Sequence, residues 1–315
     1  MIEFEISALA AGGDGIGRHP DDGKIIFVPG ALPGDHVRAE LTPAGKTGWR
    51  TRHMERVSDG PERGAPDCAH RPACGGCDWH ELAASAQARW KQQILKDALS
   101  RIGGFSSELT QRCEVLAPAK PPVGRFRVRL AVEKRQMAYH RAGSHDLVVI
   151  DRCAALAPEL DRVLQRVQQM LRTMAPGLTG ISAGLSAARD RVALRLHYDG
   201  GEVTAGGVHN ACKLLHDVEG VEGVWCEFKG KTIRVGDPWL SGLIATGARG
   251  GSYGVRAGNF FQADPGINQA MVAAVVDAAG ALRGKRLVDL HGGAGNFGLA
   301  LAARGADVTI AEVDP

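Results

Sequence analysis

No apolar run in this chain approaches the length that spans a bilayer, so a transmembrane helix is not expected. The start, Met1-Ile2-Glu3-Phe4-Glu5, lacks a basic segment leading into an apolar one, so no secretory leader is expected either. Charge of one sign is scarce. Lys and Arg number 38 against 35 Asp and Glu, a net of +3 that is too mild to mark a nucleic-acid binder by itself. Internal repeats and low-complexity tracts are absent, which removes repeat architectures. Seven cysteines, an odd count, argue against a secreted disulfide framework and for a cytoplasmic protein. What is present is ordinary core material, 44% hydrophobic, in 315 residues that suit two or three domains.

Residues 1 to about 58 carry short apolar runs separated by Gly, Pro and Asp, the pattern of a small β-barrel. Examples are Phe4-Glu5-Ile6, Lys24-Ile25-Ile26-Phe27-Val28 and Val37-Arg38-Ala39-Glu40-Leu41. Arg18, Lys24, Arg38, Lys46, Arg50, Arg52 and Arg56 make this region basic, a solvated face on charge alone. A connector, Gly60 to Pro66, marks a boundary. A helix is predicted over about His80 to Ile102, with Ala86, Trp90, Ile94, Leu95, Ala98, Leu99 and Ile102 at helical spacing and Gly103-Gly104 as its stop.

Downstream, Arg125-Phe126-Arg127-Val128-Arg129-Leu130 alternates strictly, placing three arginines on one face of a strand. Lys120, Lys134, Arg135 and Arg141 lie near it in sequence. The stripe suits either a solvated face or phosphate contacts. A second helix is predicted over about Pro158 to Thr173, with strands at Arg191 to Tyr198, Val224 to Phe228 and Thr232 to Val235, the first closed by a turn at Asp199-Gly200-Gly201. A third helix is expected near Pro265 to Ala279. It precedes a buried parallel-type strand at Arg286 to Leu290, a glycine turn, a helix to about Arg304 and a second strand ending at Glu312. That succession is the opening βαβ of a Rossmann-like domain.

Two constellations carry chemistry. Cys68, Cys74 and Cys77 crowd into ten residues, with Cys153 remote from them. Four thiolates can surround zinc or an iron–sulfur cluster. One Cys-x-x-Cys knuckle rather than two favours the cluster, and Gly75-Gly76 allows a tight turn that points N–H groups at sulfur. Cys113, Cys212 and Cys226 have no accompanying knuckle, and Cys226 reads as a small buried hydrophobe. The second constellation is Gly293-x-Gly295-x-x-Gly298, a weak signal alone but here set between a strand and a helix. Glu312 is placed to accept two ribose hydroxyls, and Asp289 before the turn favours S-adenosylmethionine (SAM) over a nicotinamide cofactor.

Together these motifs resemble the RNA uracil-5-methyltransferases, in the 23S ribosomal RNA branch that carries a TRAM domain and a 4Fe–4S cluster. Gly12 to Arg18 and Phe27 to Gly34 look like TRAM, Phe260-Phe261-Gln262 like the family's Phe-Gln motif. The resemblance implies that Cys68, Cys74, Cys77 and Cys153 hold the cluster, and that Gln262, His291, Asn296 and Glu312 contact SAM. His291 departs from the family's aromatic residue at that position. The implied fold is multidomain: a TRAM, OB-like barrel over 1–60; a central α+β cluster and RNA-binding domain from 61–79 and 118–255; and the start of a Rossmann-like α/β SAM-dependent methyltransferase domain from 80–117 and 256–315.

The implied reaction is methylation of uracil C5 in RNA, with 23S rRNA as partner, through a thiolate adduct at uracil C6. The family's nucleophilic cysteine falls outside the 315 residues, so no catalytic residue is assigned and the chain is expected to be an inactive, monomeric fragment. The competing reading is a non-catalytic RNA-binding iron–sulfur protein with a vestigial SAM site. A radical SAM methylthiotransferase would need Cys-x-x-x-Cys-x-x-Cys, which the chain lacks.

Overall fold

The structure, a computed structural model, describes every residue except 46, 47, 66, 117–123, 175, 176, 200–202, 245–250, 314 and 315. Lys46, Pro66, Lys120 and the Gly200-Gly201 part of the predicted turn therefore lie outside the described residues. The chain divides into two compact units, Met1–Val115 and Leu116–Pro315.

In the first unit, β1 (Ile2–Leu9), β2 (Gly15–Arg18), β3 (Ile25–Val28), β4 (His36–Ala44) and β5 (Gly48–Ser58) close a barrel in the order β1-β2-β3-β5-β4. Alternation along each strand sends Phe4, Ile6, Ile26, Val28, Val37 and Ala39 inward, which is the barrel predicted from the short apolar runs. Asp35 is fully buried beneath it. Its carboxylate accepts the N–H groups of Leu32 and Gly60, each at 2.8 Å, and pairs with the Arg63 guanidinium, fastening the connector to the barrel. Burial alone would raise the Asp35 pKa, but the hydrogen bonds from Arg63, Leu32 and Gly60 outweigh it and hold the carboxyl below its usual range.

Helix α1 (Ala84–Arg101) starts where Leu82 and Ala86 pack with Leu9 and Leu32, flanked by Trp79, Trp90 and Ile94. Its predicted apolar side is only partly used. Leu95 is 49% exposed and Ile102 88% exposed, because the packed part of the helix is its N-terminal half. A short α2 (Ser107–Gln111) follows, capped by the Ser106 hydroxyl accepting the Leu109 N–H.

The second unit is built on a seven-stranded sheet in the order β12-β11-β10-β9-β6-β7-β8. In chain order its elements are β6 (Arg127–Glu133), β7 (Gln136–His140), β8 (Leu147–Val149), α3 (Pro158–Leu171), β9 (Gly180–Leu185), β10 (Val192–His197), α4 (Ala205–His216), β11 (Val221–Phe228) and β12 (Lys231–Gly236). Only β10 and β11 pair in parallel, joined by α4; the other neighbours are antiparallel. Phe126, Val128 and Leu130 meet Leu160, Val167 and Leu171 of α3 and Leu215 of α4 in one large core, so the alternation at 125–130 has the predicted sense. On the opposite face, the hairpin of β13 (Trp239–Ile244) and β14 (Gly251–Arg256) brings Leu240 and Val255 onto Ala193 and Trp225.

Helix α5 (Pro265–Ala279) is capped by Asp264, whose carboxylate accepts the Ile267 N–H at 2.9 Å. It leads to β15 (Arg286–Leu290), α6 (Gly298–Ala303) and β16 (Asp307–Ala311), with β15 and β16 parallel and in register from Arg286↔Asp307 to Leu290↔Ala311. The βαβ order is as predicted, but β15 is not the buried strand expected. Val288 and Leu290 are 66% and 68% exposed, because among the described residues β16 is its only neighbour in the sheet. Val272, Val276 and Ala300 form a separate small core between α5 and α6. No helix among the described residues is long and apolar enough to cross a membrane.

Candidate functional site

The glycine turn joins β15 to α6. Its first residue, His291, takes a left-handed backbone with φ 57°, an uncommon state for a residue with a side chain. The following glycines are dictated by close packing: a Cβ on Gly292 or on Gly298 would fall 2.7 Å from the Ile310 side chain on β16. Asp289 accepts the Gly298 N–H at 2.8 Å and so fixes the entry to α6. Beyond β16, Glu312 accepts the Gly293 N–H at 2.8 Å and the Val313 N–H at 2.7 Å. A carboxylate is thereby held against an open glycine, since nothing lies within 4 Å of where a Gly293 Cβ would sit. A shallow cradle beside an acidic group suits a ribose with two hydroxyls to donate.

Asn296 is placed by a different partner. It exchanges two amide hydrogen bonds with Asn268 of α5, each at 2.8 Å, and the Tyr253 hydroxyl lies 3.5 Å from its carbonyl oxygen. Burial raises the Tyr253 pKa, so its hydroxyl keeps its proton. Asn268 in turn lines a cleft with Gln262, Phe261, Ser241 and Tyr253. Gln262 shares the cleft with Asn268, Asn296 is bonded to Asn268, and His291 and Glu312 flank the glycine turn. Asn268 was not singled out in the sequence. A polar residue in the first turn of a helix carries no signal until its partner is known.

Of the cysteines, Cys74 is buried and Cys68 and Cys77 are half-buried. The Cys74 N–H donates to the His70 carbonyl at 2.9 Å, and the Arg71 guanidinium donates to the Cys77 carbonyl at 2.9 Å. The Gly76 N–H is directed at the Cys74 sulfur at 3.4 Å, as the glycine pair suggested. Such N–H···S contacts and a three-thiol donor set fit a soft-metal centre in chemical kind. Among the described residues, however, no three His, Cys, Asp or Glu side chains converge closely enough to hold a metal ion. Cys153, in the second unit, precedes α3, where its N–H donates to Asp161 at 2.8 Å.

The TRAM domain family matches residues 2–46, the greater part of the barrel. The 23S rRNA (uracil(1939)-C(5))-methyltransferase RlmD of Shewanella amazonensis is 33% identical over 328 residues, covering all of this chain and 70% of that protein. The chain belongs to this RNA methyltransferase family. The corresponding enzyme of Alkalilimnicola ehrlichii is 32% identical over 98% of the chain and 69% of its own length. An uncharacterized RNA methyltransferase of Thermosynechococcus vestitus is 29% identical over 99% of the chain and 72% of its own length. In fold, the chain is similar to the Pyrococcus abyssi tRNA (uracil-54, C5)-methyltransferase, solved with S-adenosyl-L-homocysteine. That match has a TM-score of 0.71 at 19% identity and covers 99% of the chain and 73% of the solved one. Family membership gives the glycine turn and Glu312 a context that the motif alone lacked.

Proposed function

We propose that this protein methylates C5 of a uracil in RNA, with 23S ribosomal RNA as the substrate and SAM as the methyl donor. The observation that carries this reading is the Glu312 carboxylate held at the glycine turn of a chain whose full length aligns with 23S rRNA uracil-C5 methyltransferases. In this reading Glu312 accepts the ribose hydroxyls, Asn296 and Gln262 orient the donor from the α5 side, and His291 lies against it. SAM supplies a methyl group on a sulfonium, which needs an electron-rich acceptor. Uracil C5 becomes one when a cysteine thiolate adds to C6; C5 then takes the methyl group, and loss of the C5 proton expels the thiolate. None of the seven cysteines is assigned that attack.

Cys68, Cys74, Cys77 and Cys153 are proposed as ligands of a 4Fe–4S cluster with a structural task, since the methyl transfer requires no electron. The domain map proposed with it keeps 1–60 as TRAM, 61–79 with 118–255 as the cluster and RNA-binding part, and 80–117 with 256–315 as methyltransferase. A cytoplasmic location is proposed with that substrate. Deleting the gene is expected to remove one 5-methyluridine from 23S rRNA, read by mass spectrometry of its nucleosides and restored by the intact gene. An unchanged nucleoside profile in the deletion strain would overturn the reading.

A further inference from the structure

A second concavity lies on the sheet, away from the glycine turn, and its origin is the strand register. Arg129 of β6 and Arg195 of β10 both stand opposite Ser182 of β9, the strand between them. On this face β9 presents only Gly180, Ser182 and Gly184, so the longer side chains of its two neighbours wall a trough that β9 floors. Arg127 and Arg129 stand on one side, Arg195 and His197 on the other, and Asn259 and Phe260 close the rim. The concavity holds about 340 Å³, at the lower end of clefts that hold a small ligand group. Gly258 permits the rim to sit this close: a Cβ there would fall 2.5 Å from the Arg195 side chain, and its φ is 92°.

The charge of the trough is one-sided. Arg195 stacks on Trp225 at 4.5 Å and faces the exposed Glu227 carboxylate at 3.6 Å. Arg127 lies over the Phe260 ring at 4.4 Å, and its buried Nε has no hydrogen-bond partner among the described residues. Arg127 and Arg129 form no ion pair with a carboxylate among the described residues. Three guanidiniums therefore answer to one carboxylate. His197 adds no fourth charge at neutral pH, because burial and then the neighbouring Arg129 and Arg195 push its pKa down to about 4. Its Nε2 is hydrogen-bonded to the Ser182 hydroxyl at 2.8 Å. Whichever of the two donates, one proton of the neutral pair remains for a further acceptor.

We propose that this trough seats one phosphodiester of a single-stranded segment of the RNA substrate, with Arg129 and Arg195 as its charged donors and the Ser182–His197 pair as its neutral one. The inference rests on the RNA methyltransferase reading above and adds a subsite to it. An exposed Arg129 and a half-buried Arg195, facing each other across the small residues of β9, suit a phosphate, and a trough open at its mouth lets a polymer continue past it.

The test is binding of a uridine-containing RNA oligonucleotide to the 315-residue chain, by fluorescence anisotropy across a salt series, with SAM affinity measured alongside. Arg129→Gln is expected to weaken RNA binding about tenfold and to reduce the log–log salt slope by roughly 0.7, one single-strand phosphate contact, with SAM affinity unchanged. Arg129→Glu should weaken it further. In a scan of oligonucleotides carrying one neutral methylphosphonate each, a single position should weaken the wild type and have no further effect on Arg129→Gln. If the wild type binds RNA and Arg129→Gln binds it with the same affinity and slope, the trough assignment fails while the methyltransferase reading stands. If the wild type binds no RNA, both fail.

Discussion

Asn268 and His197 show how single residues set the behaviour of the two candidate sites. Asn268 is 8% exposed, and both of its amide atoms are used by Asn296. Truncating it leaves the Asn296 amide without its partner, a loss of the kind that costs about 1–3 kcal/mol. Asn268→Ala is therefore expected to lower stability by about that amount in urea unfolding and to weaken SAM binding, while Asn268→Asp should keep part of the geometry. For His197 the imidazole takes its proton near pH 4 in the folded state against 6.5 in the unfolded chain. Between those values the unfolded state binds more protons, so the contribution of His197 is intact above pH 6.5, falls as the pH drops, and is fully lost below about 4. A melting-temperature profile should show this loss in the wild type, and a weaker dependence over the same window in His197→Asn.

Among the elements, the barrel and its connector are joined through a buried Arg63, which pairs with Asp35 and with Glu81. Asp35 cannot reach water, and Arg63 is its only cationic partner among the described residues. Arg63→Met leaves a buried carboxylate with two backbone donors, and is expected to destabilise the first unit by about 3–5 kcal/mol. Removing both charges with Asp35→Asn and Arg63→Met should cost less than the sum of the single changes, which a double-mutant cycle in denaturant would check. Elements like these differ in how far the sequence reveals them. No apolar run marked β5, whereas α5 falls where a helix is predicted. Four of the barrel strands and α3 were legible because turn residues or helical spacing bound them. Strand β9 was not, since all six residues of Gly180–Leu185 are buried and small residues on one face leave no alternation. Helix α4 was not predicted: Gly206-Gly207, poor helix formers, sit in its first turn behind a Thr204 cap. The arginine stripe on β6 was visible; the trough was not, because Ser182 and Arg195 join it only through a pairing between distant strands.

Across the whole molecule none of the seven cysteines is in a disulfide, and five of them separate into two chemical classes. Cys212 and Cys226 lie in the core of the second unit. Burial, with Cys226 alongside, pushes the Cys212 thiol up to about 12, and burial raises that of Cys226. Neither is a thiolate at neutral pH, so neither is a ready metal ligand or nucleophile. Cys68, Cys74 and Cys77 lie within ten residues outside that core, and the Gly76 N–H is aimed at the Cys74 sulfur. The difference predicts which cysteines govern metal content. Protein purified without oxygen should be brown with a broad absorbance shoulder, and Cys74→Ser should lose both colour and iron. Cys226→Ala should keep them while losing about 1 kcal/mol of stability to the small cavity it creates. A colourless, zinc-loaded wild type would overturn the iron–sulfur assignment and leave the SAM site and the RNA trough unaffected, because no residue of either is among the cysteines.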